Sequence, residues 1–247
     1  MFEAAIRADT LTDAIAPVSA VVDECKWRLG ESGLSITAVD PANVGMVDLT
    51  LSKRAFDQFD ADEGVLGIPL ERVEEVLGMA DGDDLVAMEL DAETRKLHID
   101  IDGLEYTLAL IDPDSIRQEP DIPELDLPGT YVFESSELDR AVRAADLCSD
   151  HVEIEGVEDA ELVFAAEGDT DDVEVTLDTE DLLSGALEES AASLFSLDYL
   201  SDMAGPMPSD AEVSLLVGDE MPVKLRYSLA DGTVDVVNML APRVQSQ

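Results

Sequence analysis

The chain has 247 residues, 46% of them apolar and only 4% aromatic, with 58 acidic residues against 14 Lys and Arg, for a net charge of −44. That length and apolar content support an aliphatic core of ordinary size and exclude a chain disordered over most of its length. The charge excludes nucleic-acid binding through a basic patch.

The acids are spread along the whole chain, not gathered in a tail, so an acidic tail or a chaperone-like role is the lesser reading. Self-repulsion on this scale opposes a compact state in dilute buffer. Molar salt removes it, because the Debye length falls to about 3 Å at 1 M. The composition therefore points to a salt-rich cytoplasm. The region around Glu3, Arg7, Asp9 and Asp13 lacks the apolar run of a signal peptide, and no stretch has the length of a membrane span, so a soluble intracellular protein is expected. Cys25 and Cys148 have no Cys or His at ligand spacing, so both are expected to be buried free thiols, with no disulfide and no zinc.

In chain order, Leu11, Ala14, Ile15 and Val18 recur at helical spacing after Thr10 and predict a first helix. Alternating strands follow at Leu34, Ile36, Ala38 and at Val47, Leu49, Leu51. Leu70, Val73, Val76 and Leu77 predict a second helix, stopped by Met79-Ala80-Asp81-Gly82. Two further strands alternate at Leu97, Ile99, Ile101 and at Tyr106, Leu108, Leu110, joined by an Asp102-Gly103 turn. His98 lies on the opposite side of its strand from Leu97 and Ile99, so it is expected to be exposed. Residues 112–128 hold Pro113, Pro120, Pro123 and Pro128 and read as a semi-rigid linker. Ile122, Leu125 and Leu127 either pin that linker to the domains or form part of a docking surface.

Beyond the linker the pattern repeats. Leu138, Ala141, Val142 and Ala145 follow Ser136 as a helix, and Leu197, Leu200 and Met203 form another before Gly205-Pro206. Leu11 to Leu138, Ile15 to Val142 and Leu70 to Leu197 are each 127 positions. Strands are predicted at Leu162 and Phe164; at Val173, Val175 and Leu177; at Val213, Leu215 and Val217; and at Val223, Leu225, Tyr227 and Leu229. The economical fold is α+β, two similar domains at 1–111 and 129–247 joined by the linker.

Motifs that carry catalysis are missing. The sequence has neither a phosphate-binding glycine loop nor a nucleophile elbow, and His98 and His151 have no partner pattern of a general base. Acid runs such as Asp83-Asp84 and Gly168 to Asp172 lack the spacing of a calcium loop and read as solvated turns. No enzyme activity and no cofactor are expected, beyond non-specific K+ or Na+ counterions.

Seven segments, in order, resemble the proliferating cell nuclear antigen (PCNA) family of DNA sliding clamps. They are Met1-Phe2-Glu3-Ala4; Cys25-Lys26-Trp27; the run Gly33 to Leu51; Ile122-Pro123-Glu124; Ser196 to Leu200; Met221 to Asp231; and Leu240-Ala241-Pro242-Arg243-Val244. The resemblance implies a homotrimeric ring of duplicated clamp domains, with helices lining the hole and sheets outside. It implies a processivity factor that encircles double-stranded DNA without reading sequence and tethers DNA polymerases, the clamp loader, a flap nuclease and DNA ligase. Such partners insert a short apolar and aromatic motif into a pocket, here matched by Val39, Val44, Met46, Ile122, Pro123, Pro222, Met239, Leu240, Ala241 and Pro242. Subunits would join by pairing the strand at Tyr106, Leu108 and Leu110 with that at Val173, Val175 and Leu177 of the next copy. Arg140 and Arg143 would face DNA, while positions usually basic in the family read Ser19, Glu75 and Gly78. Asp139 and Arg143 also stand at i,i+4 spacing, so a surface ion pair is the plainer reading of that arginine. The alternative function is an acidic DNA mimic or chaperone-like protein that sequesters basic partners.

Overall fold

The computed structural model describes residues 1–119, 125–157 and 161–243. In chain order the elements are β1 (Phe2–Arg7), α1 (Ala8–Ser19), β2 (Glu24–Gly30), β3 (Gly33–Val39), β4 (Gly45–Ser52), β5 (Phe56–Ala61), β6 (Gly64–Pro69), α2 (Leu70–Leu77), β7 (Leu85–Asp91), β8 (Lys96–Ile101) and β9 (Leu104–Ala109). The second half has β10 (Gly129–Glu134), α3 (Ser135–Ala145), β11 (His151–Val157), β12 (Glu161–Glu167), β13 (Asp172–Leu177), β14 (Leu182–Leu187), β15 (Ala191–Ser196), α4 (Leu197–Ala204), β16 (Glu212–Val217), β17 (Val223–Leu229) and β18 (Val234–Leu240). The α+β duplication is plain in these bounds: β1, α1, β2, β6 and α2 each begin 127 residues before β10, α3, β11, β15 and α4, from Phe2 to Gly129 through Leu70 to Leu197.

By backbone proximity the chain divides into two compact units, each drawn from more than one stretch. One consists of Met1–Val39, Val47–Pro120 and Ser228–Val236; the other of Asp40–Met46, Asp121–Tyr227 and Val237–Gln247. Strand β18 and the β3–β4 loop are therefore shared out against chain order. In the first unit a sheet runs β5-β1-β7-β8-β9, and β6, β2 and β3 are neighbours in another. Helices α1 and α2 pack on each other, α1 on β1 and α2 on β2, β6 and β9. Leu11, Ile15, Val18, Leu70, Val73 and Val76 are buried there, as is Trp27. The second unit repeats the scheme with β13-β12-β11-β15, with β14, β10 and β16 in order, and with α3 on α4. Leu138, Val142, Leu197 and Leu200 fill its interior.

The helix starts differ from expectation. Thr10 and Ser136 fit the residue preference of an N-cap. The helices instead start earlier, at Ala8 and Ser135, with Arg7 and Glu134 as caps that give no side-chain bond. Distant backbone carbonyls satisfy the first donors: Ala8 N–H donates to the Asp84 carbonyl at 2.9 Å and Asp9 N–H to Gly82 at 3.0 Å. In the second unit Ser135 N–H donates to Ala211 at 2.8 Å and Ser136 N–H to Ser209 at 3.1 Å, the same bonds displaced by 127 residues. Strand β9 stops at Ala109, one residue short of the predicted Leu110. The second helix likewise ends at Leu77, with Gly78 as its C-cap.

Gly33 turns the β2–β3 hairpin with φ +134°, and a Cβ there would lie 2.2 Å from the Leu51 carbonyl and 2.7 Å from Lys53 N. Both obstacles are backbone. Gly33→Ala is expected to cost about 2–4 kcal/mol, read as a lower denaturation midpoint in fixed molar KCl. An unchanged midpoint would show that the hairpin relaxes around the methyl group.

Candidate partner-binding site and helix faces

The β3–β4 loop is built around one carboxylate. Asp40, 4% exposed, accepts hydrogen bonds from Ala42 N–H at 2.8 Å, Val44 N–H at 2.6 Å and Gly45 N–H at 2.8 Å. Its Oδ2 also accepts the Tyr199 hydroxyl from α4 at 2.8 Å. An Asp before Pro41, with Asn43 in the left-handed region at φ 59°, is the chemistry of a tight turn. Gly45 then lies flat on α4: a Cβ would come within 3.1 Å of both Tyr199 and Met203. Burial pushes the Asp40 carboxyl up, but the bonds from Gly45, Ala42, Tyr199 and Val44 outweigh it and hold the group below its ordinary value. The same bond to Asp40, together with burial, pushes the Tyr199 phenol up.

This loop carries one of the expected pocket residues, Val44, with Met46 next to it in β4, and its backbone meets a third, Ala241. The Val44 carbonyl accepts Ala241 N–H at 2.9 Å, which seats Met239, Ala241 and Pro242 beside Val44. Val44, Pro222, Ala241 and Pro242 are half-buried, while Met46 and Met239 show only their edges at 7% and 8% exposure. Leu240 departs from its expected role: at 1% exposure it belongs to the core, because β18 alternates and turns it inward. Val39 closes β3 in the other compact unit. Ile122 and Pro123 lie outside the described residues. Asp40 and Tyr199, which hold this loop, are not among the expected site residues. The Asp-Pro-Ala-Asn string signals a turn, but nothing local signals its partner 159 residues away.

The linker is gripped at its start. Glu119 pairs with Lys26 at 3.6 Å and Arg28 at 2.5 Å, and Lys26 Nζ also donates to the Arg117 carbonyl at 3.1 Å. Ile116 and Leu127 are buried, which makes Leu127 an anchor, whereas Leu125 is half-buried.

The helices carry nine acids and three arginines. Arg140 pairs with Glu137 at 2.6 Å and Arg143 with Asp139 at 3.0 Å, so both expected DNA-facing cations hold intrahelical carboxylates. Arg72 does the same with Glu75 at 2.6 Å. All three arginines are exposed, and such pairs contribute little to stability. Burial, then Asp9, pushes the Asp13 carboxyl up on α1; burial, then Asp198, pushes up Asp202 on α4.

Strands β9 and β13 each end a sheet, paired on one side only, to β8 and β12. Their alternation splits the expected interface residues. Leu108 and Leu177 are buried inside their own units and are core, whereas Tyr106, Leu110, Val173 and Val175 are half-buried. Elsewhere His98 is exposed and meets the Thr107 hydroxyl at 3.2 Å. Cys25 is a buried thiol, pushed up to about 12 chiefly by burial. Cys148 is only half-buried, unlike the expectation, because it sits past the end of α3, where its Sγ reaches the Ala145 and Ala166 carbonyls. Among the described residues no helix is long and apolar enough to cross a membrane.

The geometry meets a close match in known proteins. The family model "Proliferating cell nuclear antigen, N-terminal domain" matches residues 1–108, and the corresponding C-terminal model matches residues 121–243. The DNA polymerase sliding clamps of Natronomonas pharaonis and Halobacterium salinarum, both halophilic archaea, are 58% and 55% identical to this chain, with the whole of each chain covered. The A. fulgidus PCNA solved with the C-terminal region of FEN-1 is 32% identical over the full length of both chains, with a TM-score of 0.93. The chain belongs to the proliferating cell nuclear antigen family of DNA polymerase sliding clamps.

Proposed function

We propose that three copies of this chain close into a ring around duplex DNA and tether replication and repair enzymes to it without reading sequence. The observation that carries this reading is the duplicated α+β unit with an open, half-apolar strand edge in each copy, β9 in one and β13 in the other. An open edge invites a further strand, and edge-to-edge pairing between copies is how a chain of such units closes on itself. Tethering raises the local concentration of an enzyme at its primer without any new catalytic group. The ring itself therefore does no chemistry and takes no cofactor; K+ or Na+ ions balance its charge. It works in a salt-rich cytoplasm, associated with the nucleoid.

Partners dock a short apolar and aromatic segment on Val44, Met46, Pro222, Met239, Ala241 and Pro242. Likeness to the A. fulgidus protein, seen with the tail of FEN-1, supports a flap nuclease among them. DNA polymerases, the clamp loader and DNA ligase are expected to use the same pocket. Hot-spot residues of such pockets are compact apolar anchors.

The helices face the DNA, and enclosure, not attraction, retains it. Counterion release drives little binding in molar salt, since affinity falls steeply with salt. Processive primer extension on circular DNA in molar KCl, with polymerase and loader, tests both statements. The chain is expected to lengthen products per binding event, and Arg140→Ala with Arg143→Ala to shorten them less than about twofold, since each arginine already holds a carboxylate. Product length independent of the chain would defeat the clamp reading. A collapse in the double variant alone would make the two arginines the DNA guides.

A further inference from the structure

The structure assigns to Asp40 and Tyr199 a positioning role: together they set the β3–β4 loop in the shape that lets the pocket accept a partner segment. The inference rests on the proposed pocket and deepens it. The Asp40 carboxylate has two differently occupied oxygens. Oδ1 takes Val44 N–H and Gly45 N–H; Oδ2 takes Ala42 N–H and the Tyr199 hydroxyl. Three of these donors are backbone amides within four residues of one short loop, Ala42 to Gly45, and the fourth stands on α4. The carboxylate thus fixes the loop's internal shape and its seat on the helix at once.

The consequence reaches the pocket through the backbone. With Val44 N–H held by Asp40, the Val44 carbonyl points to Ala241 N–H at 2.9 Å and locks the Met239–Pro242 segment alongside. Beyond it Arg243 N–H donates to the Leu194 carbonyl at 2.8 Å, so the segment is tied at both ends. Removing Asp40 frees one end, and the partner segment must then pay the ordering entropy of the loop on binding.

The device also suits molar salt. Ion pairs on exposed side chains are screened within about 3 Å at 1 M. Asp40 is 4% exposed and is held by amide and hydroxyl donors, which bulk ions do not displace. The four donors to its oxygens are three backbone amides and one hydroxyl.

An amide cannot substitute for this carboxylate. Asp40→Asn turns one acceptor oxygen into a donor that faces other donors, whichever way it is flipped. Tyr199→Phe removes one bond and leaves the three backbone donors in place. The test is fluorescence anisotropy in molar KCl with a short labelled peptide carrying an aliphatic and an aromatic anchor. Thermal melting and Trp27 emission are followed for each variant in the same buffer. Met239→Ala serves as the direct pocket variant. Asp40→Asn is expected to raise the peptide Kd about ten- to hundredfold, and Tyr199→Phe about three- to tenfold. Both should keep the native Trp27 emission at the assay temperature. Combining them should add nothing to Asp40→Asn alone, since they remove the same lock. In the native chain affinity should also fall as pH drops through the lowered Asp40 pKa, a dependence that Asp40→Asn lacks. Wild-type affinity in either variant overturns the inference, as do independent, additive losses. If Asp40→Asn unfolds, the Tyr199→Phe affinity decides alone. If Met239→Ala leaves the Kd unchanged, the pocket itself is misplaced, and the inference falls with it.

Discussion

In molar KCl light scattering is expected to give the mass of a trimer, and in dilute buffer that of separate subunits. Each subunit carries −44, so three bring −132 together. At 0.01 M salt the Debye length is about 30 Å, and every subunit feels most of its neighbours' charge; at 1 M it is about 3 Å, and only contacting groups interact. The described ion pairs do not offset this repulsion: Arg72, Arg140 and Arg143 are spent on carboxylates of their own helices. Apolar burial along the open strands changes little with salt in comparison, and cosmotropic salts strengthen it. Acid should act like salt. Asp13 and Asp202 have raised pKa values, so their protonated forms are favoured in the fold. Their contribution is complete below the ordinary carboxylate value and is lost as pH rises through the raised one. Mild acid in dilute buffer should therefore recover part of the stability that salt supplies. A trimer equally populated in dilute buffer would refute the dominance of repulsion. A monomer in both buffers would count against a ring that closes unaided.

The duplication was legible because helices advertise themselves by their apolar stripe. Leu11 and Leu138, or Leu70 and Leu197, sit 127 apart in sequence and begin to fill matching places in the two interiors. Strand alternation was equally readable at Leu97, Ile99 and Ile101, all buried, with His98 between them exposed. The helix caps were hidden. Thr10 satisfied a local rule, but the donors of Ala8 and Asp9 find carbonyls at Asp84 and Gly82, and a tertiary backbone bond has no side-chain signature. The proposed pocket was legible in part for the same reason. Val44, Met239 and Pro242 were named from the resemblance, yet Leu240 alternates inward and the carboxylate that shapes the loop belongs to no apolar pattern. The units' exchange of the 40–46 segment and of part of β18 is likewise invisible to composition, since it is a matter of which backbone each strand meets.

Val175→Asp separates the interface from the core, and it is expected to leave a folded monomer even in molar KCl. Val175 sits on the open strand β13, half-buried in its own subunit, two residues before Leu177, which is fully buried. In the free subunit an aspartate at that place keeps one side to water, so folding changes little. In a ring the same carboxylate is covered by the next copy, and the facing strand itself offers Glu105, Tyr106, Thr107, Leu108 and Ala109 and no cation. Burying an unpaired carboxylate costs about 2–5 kcal/mol per contact after relaxation, and a closed trimer has three contacts, so assembly loses about 6–15 kcal/mol. Salt does not rescue this, because the cost is loss of hydration and not long-range repulsion. Leu177→Asp is the matched control. It places the charge under α3 in the subunit's own core, and it should abolish cooperative melting along with the trimer. If Val175→Asp still forms trimers in molar KCl, β13 is not the joining edge. If both variants unfold alike, the two positions belong to one core, and the open edge has no role of its own in assembly.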